Sequence, residues 1–146
     1  MKMKKFLSYF IGIFILGFAI TSCLDNESGN DFTSYGYIPA LQINYHADSV
    51  QGMNKPTNIH VTFALKNCQK FLEFRGLSSA ENNISNVGVF GSQNNDGSCT
   101  EETTMVTKSF KFYPRVSGEN IIRVWAGKNE SGEDQYISKT INIPAE

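Results

Sequence analysis

Between residues 59 and 66 every second side chain is large and apolar: Ile59, Val61, Phe63 and Leu65 alternate with His60, Thr62, Ala64 and Lys66. Successive side chains of an extended chain point to opposite faces, so this pattern predicts a strand with one face in a core and the other toward water. Val106, Phe110 and Phe112 repeat it against Thr107, Ser109 and Lys111, with Lys108 as the exception on the apolar face, and Pro114 ends that ladder. Near the carboxyl end Ile122, Val124 and Ala126 form one face of a strand, and Ile137, Ile141 and Ile143 form one face of the next. Residues 127–134, with Gly132, join the two as a hairpin. Lys139 interrupts the last aliphatic face; an inward lysine on an edge strand blocks pairing with a second sheet, so the final strand is expected at an edge.

Weaker alternation predicts strands near 40–46, 70–75 and 86–91, separated by turn-rich stretches at 51–58, 77–85 and 92–101, where Asp96-Gly97 is a good turn pair. No stretch after residue 23 carries a convincing helical period over ten residues. About seven short strands with regular turns predict an all-β fold, a single immunoglobulin-like antiparallel β-sandwich over residues 37–146.

The first 22 residues follow a different pattern. Lys2, Lys4 and Lys5 precede an apolar run over residues 6–20, the layout of an export signal. That run is short of the roughly 20 residues a membrane-spanning helix needs. It ends in Ile20-Thr21-Ser22-Cys23, which resembles the lipobox of bacterial lipoproteins, whose cysteine takes a diacylglyceryl group before the chain is cut on its amino side. The resemblance implies a signal peptide over 1–22 and lipidation of Cys23; the alternative is an uncleaved signal anchor. Two or more acyl chains anchor a protein stably without a transmembrane helix. Residues 24–31 are polar and acidic, and the stretch 23–36 is expected to be a flexible tether. It is similar to the acidic segment behind the lipid cysteine of many surface-displayed Bacteroidetes lipoproteins, which implies lipid anchoring to the outer membrane, on its periplasmic face or at the cell surface.

Cleavage removes three of thirteen Lys/Arg and none of fourteen Asp/Glu, leaving 10 against 14, about −4 over 124 residues. That balance gives no reason to expect a nucleic-acid partner, and the length suits one domain. With Cys23 committed to lipid, Cys68 and Cys99 are an even pair in an oxidising compartment, and a disulfide is the simplest reading. A metal site or a reactive thiol are the alternatives, with His46 and His60 the only histidines.

From about residue 61 to 143 the chain resembles small lipoproteins of Bacteroidetes, mainly flavobacterial, carrying an immunoglobulin-like domain. The residues that carry the resemblance are Asn67-Cys68 with Phe71 and Phe74, Cys99 in a polar loop, Phe110-Lys111-Phe112 with Pro114, then Gly118, Ile122, Val124-Trp125, Gly127 and Tyr136. It implies the sandwich and the Cys68/Cys99 pair, and it brings no activity.

Candidate chemistry is sparse. His46 and Asp48, two apart on an expected strand, would share a face and a metal or proton, although a zinc site wants three or four ligands. Residues 129–134 offer oxygens for calcium without the EF-hand spacing, as any polar hairpin turn does. If Ile122, Val124 and Ala126 face the core, Arg123 and Trp125 face out, with Tyr136 beside them, a set suited to sugar stacking or a protein contact. Alternatively Trp125 lies beneath a loop or lines the second sheet. Asp48-Ser49-Val50 is similar to a short Bacteroidetes O-glycosylation motif, which would put a glycan on Ser49. The chain has no Gly-x-Ser-x-Gly elbow, phosphate-binding glycine loop or His-Glu-x-x-His. Glu73, Glu81, Glu101 and Glu102 leave a carboxylate pair, and so a small hydrolase, as a third possibility. The expected function is therefore a non-enzymatic binding or accessory module without metal or cofactor. Its partner would be an envelope protein, or alternatively a glycan in polysaccharide uptake.

Overall fold

The computed structural model describes residues 32–97 and 99–145. The signal peptide, Cys23 and the tether as far as residue 31 lie outside them. Eight strands follow one another: β1 (Thr33–Ile38), β2 (Ala40–Tyr45), β3 (Thr57–Lys66), β4 (Gln69–Leu77), β5 (Ile84–Asn94), β6 (Thr103–Phe112), β7 (Gly118–Lys128) and β8 (Asp134–Ile143). The only helical piece among the described residues is a single 3-10 turn, Ala47–Ser49, and none there is long and apolar enough to cross a membrane.

The strands form the two-sheet, all-β sandwich that the alternation predicts. One sheet has three strands in the order β2-β3-β6; the other has five, in which β4 pairs with one edge of β5 while β1 and β7 share the opposite edge and β8 closes the far side. β1 pairs with the carboxyl half of β5, Ile38 opposite Val89 through Thr33 opposite Asn94. β7 takes the amino half, Ile84 beside Ile121 through Val87 beside Val124. Pro39 lies between β1 and β2 and, lacking an N–H, suits the point where the chain leaves one sheet for the other.

Period-2 burial explains the core. On β3 the side chains of Thr57, Ile59, Val61 and Phe63 are almost wholly buried, and they meet Val89, Ile122, Val124, Ile141 and Ile143 from the five-stranded sheet. Phe63, Phe71, Phe74 and Phe110 form a chain of ring contacts, with centroids 5.6, 5.2 and 5.0 Å apart. At the β3–β4 end Cys68 and Cys99 are joined by a disulfide, with Cα atoms 5.0 Å apart. The bond pins the β5–β6 loop to the β3–β4 turn and does not cross the core. Around it Asn94 N–H donates to the Cys68 carbonyl at 2.9 Å, Thr100 N–H to Asn67 Oδ1 at 3.0 Å, and Lys66 pairs with Glu101 at 2.8 Å.

Three expectations change. β1 begins at Thr33, inside the segment 23–36 read as tether, and raises the strand count to eight; its alternation is carried by Tyr35 and Tyr37 around Gly36, with no aliphatic face to betray it. The β5–β7 pair is parallel, not antiparallel. Ala126 is only half-buried, because a register shift between Trp125 and Gly127 interrupts the alternation of β7.

β8 and β6 both lie at sheet edges, and each carries one lysine on its inward face: Lys139 beside buried Ile122, and Lys108 beside buried Val61. A charge there makes docking of another strand costly. Replacing both with valine should leave the fold intact and raise self-association. Light scattering over a concentration series checks this; unchanged association would mean the lysines do not guard the edges.

Candidate functional site

The outer face of the five-stranded sheet is fixed by parity. Because Val124 and Ile122 point into the core, Arg123 and Trp125 point out, and on β5 the inward Val87 and Val89 leave Asn86, Gly88 and Phe90 outward. Tyr136 is directly opposite Trp125 across the β7–β8 ladder. The three residues expected from the sequence, Arg123, Trp125 and Tyr136, thus share this face.

The structure adds Tyr35, Tyr37, Phe90 and Arg75 to them. Tyr35 and Phe90 have ring centroids 6.4 Å apart and nearly parallel planes, at 12°. Tyr37 meets Phe90 edge-on at 5.5 Å and Trp125 at 6.0 Å. The result is one connected series of ring contacts, Tyr35, Phe90, Tyr37, Trp125, with Tyr136 across the ladder from Trp125. Tyr35 is 66% and Tyr37 39% exposed. A Cβ added at Gly88 would fall 2.5 Å from the Tyr37 ring, so glycine is what lets that ring lie down on the sheet. The Arg75 guanidinium sits 3.3 Å above the Phe90 ring centre, a cation–π arrangement, and its Nε donates to Glu73 Oε1 at 2.6 Å.

The Trp125 N–H donates to Asp134 Oδ1 at 2.9 Å, and Lys128 Nζ reaches the same oxygen at 3.0 Å. The indole bond first, and then Lys128, hold the Asp134 carboxyl below its ordinary value of 3.8. A carboxyl held down in the folded state contributes its stabilisation above its unfolded value and loses it as pH falls through the folded one. Since Trp125 is the chain's one tryptophan, its fluorescence reports that bond. The midpoint of its change with pH should lie below 3.8, and Asp134→Asn should remove this step. A step above 3.8 in the wild type would contradict the arrangement.

The other candidates lie elsewhere. β2 ends at Tyr45 and the chain turns into the 3-10 helix, so His46 and Asp48 do not share a strand face. His46 instead packs edge-on against His60, with centroids 5.5 Å apart. Ser49 lies on that turn, its hydroxyl donating to the His46 carbonyl at 2.6 Å. In the hairpin loop Asn129 Nδ2 donates to Glu133 Oε2 at 2.9 Å, and Glu133 N–H donates to Asn129 Oδ1 at 2.8 Å, so these oxygens brace the turn itself. Among the described residues no three His, Cys, Asp or Glu side chains converge as metal ligands. A cleft of about 570 Å³ opens between the two sheets beside Phe74, Phe110, Phe112 and Arg115, and Glu81 is the one carboxylate lining it. Glu73 is held by Arg75 and Glu101 by Lys66.

Comparison with protein-family models, with curated proteins and with solved structures finds no match to this chain.

Proposed function

We propose that this chain is a non-enzymatic binding module, anchored to the outer membrane by lipid on Cys23, that holds its ligand on the aromatic outer face of the five-stranded sheet. One observation carries the reading: four aromatic rings in mutual contact lie on the outward face of the five-stranded sheet, with Tyr35 two-thirds exposed and Tyr37 exposed beside it. Tyrosine, tryptophan and arginine are the residues most enriched at the energetic centres of binding surfaces.

The anchor fits the same picture. Phe32, the first described residue, accepts a hydrogen bond from Asn95 N–H at 3.1 Å at the disulfide end of the sandwich. Eight residues lie between it and Cys23, nine steps of chain with a reach of at most about 30 Å when extended. The tether thus enters the domain at the disulfide end, within a few residues of Tyr35.

Mass spectrometry of the envelope protein should find a chain beginning at acylated Cys23. For the binding face, Tyr35→Ala with Tyr37→Ala should abolish capture of the ligand from solubilised envelopes, while Thr62→Ala with Thr107→Ala on the opposite sheet should not. Capture indifferent to both pairs, or an unmodified 146-residue chain free in the cell interior, would overturn the proposal.

A further inference from the structure

Resting on that reading, we infer that the ligand of the aromatic face is an acidic glycan chain, its sugar rings stacked on Tyr35, Tyr37 and Trp125 and its anionic groups met by Arg123 and Lys70.

The make-up of the face argues for a sugar polymer over a protein. Neighbouring ring centroids are 6.4, 5.5 and 6.0 Å apart, each step about the size of one pyranose ring, and the planes are set at different angles, so they offer separate small ring faces and not one flat apolar patch. A protein contact needs a wider apolar centre sealed from water by its rim. Here small hydroxyls stand beside the rings and the arginine: Ser92 across from Tyr35 and Ser138 across from Arg123. A pyranose offers an apolar C–H face to an aromatic ring and hydroxyls at its margin, which this arrangement meets with donors and acceptors.

Charge supplies the acidic character. Lys70, Arg75, Arg123 and Lys128 share the face with Glu73 and Asp134, while Glu119 lies at its far end, six positions before Trp125. Glu73 is taken by Arg75 and Asp134 by Lys128, so Arg123 and Lys70 have no carboxylate partner among the described residues. Their location is notable in a mature chain with an acid excess of four. A uronate or sulfate would give them the partner they lack, and a guanidinium binds such a group through paired N–H donors.

The test uses the full chain in detergent, titrated with polygalacturonate, alginate and a neutral β-glucan while Trp125 fluorescence is followed. The acidic polymers should bind, the neutral one should bind at least tenfold more weakly, and added salt should weaken the acidic complexes. Arg123→Gln should weaken polygalacturonate by about tenfold, the loss expected for one charge-assisted hydrogen bond. Tyr35→Ala, at an exposed position that leaves folding intact, should weaken both acidic polymers. Equal binding of the neutral glucan, or an Arg123→Gln variant that binds as well as wild type, overturns the acidic-glycan inference and leaves the binding face standing. Glycans that all fail while an envelope protein is lost on Tyr35→Ala overturn it in the same way. If no ligand of either kind depends on Tyr35 or Tyr37, the inference and the binding face fall together.

Discussion

Phe63→Ala should lower the stability of the domain by about 3 to 5 kcal/mol, the cost of removing a buried aromatic ring and leaving a cavity. Phe63 has no exposed surface. It stands midway along β3, the central strand of the three-stranded sheet, and touches Phe71 across the sandwich with ring centroids 5.6 Å apart. Collapse of neighbours into the gap is limited because Val61 and Ile59 on the same strand are already fully packed. Chemical denaturation with far-ultraviolet circular dichroism measures the loss. A change under about 1 kcal/mol would mean that the ring is not in a close-packed core.

Removing the disulfide, with Cys68→Ala and Cys99→Ala together, should cost about 3 to 4 kcal/mol, because the bond closes a loop of 31 residues whose freedom returns to the unfolded chain. For a domain of this size that is a fall in melting temperature of about 10 to 20 °C. The effect should appear as a destabilised but still folded sandwich, since the bond ties a loop to a turn outside the core and leaves the β3–β6 and β4–β5 ladders in place. Calorimetry with and without reductant checks both parts: wild type under reductant should melt with the double variant. Identical melting of the oxidised wild type and the double variant would contradict the stabilising role.

How far this fold is readable depends on how each strand is paid for in side chains. β3 is almost fully legible, because Ile59, Val61 and Phe63 put all their bulk on one face and only one arrangement buries them. Lys139 was legible for the opposite reason: a charge in an aliphatic face is tolerable only where water reaches it, which places β8 at an edge, and the structure shows Lys108 to mark β6 in the same way. β1 was not legible. Its inward positions are Gly36 and Ile38 and its outward ones are tyrosines, so the hydrophobic count is inverted relative to a normal half-buried strand. The parallel pairing of β5 with β7 depends on contacts between segments far apart in sequence, and no local pattern encodes it.

The candidate site divides along the same line. Arg123 and Trp125 follow from the parity of Ile122 and Val124. Phe90 had a signal, since Val87 and Val89 facing in require Phe90 to face out. Arg75 was obscured by the register shift between Phe71 and Glu73, which breaks the alternation on β4. Tyr35 was assigned to the tether and Tyr37 to the first position of the domain, ahead of any expected strand, so the most exposed of the rings had no strand to place them.

Hydroxyl-radical footprinting of the protein in intact envelopes, compared with the purified chain, tests the binding face most directly, because it needs no knowledge of the ligand. In envelopes Tyr35, Tyr37 and Trp125 should be protected, while Met105 and Tyr113, exposed elsewhere on the domain, should react as they do in the purified protein. Equal reactivity of the ring row in both settings would show the face to be bare where the protein works, and would contradict the account.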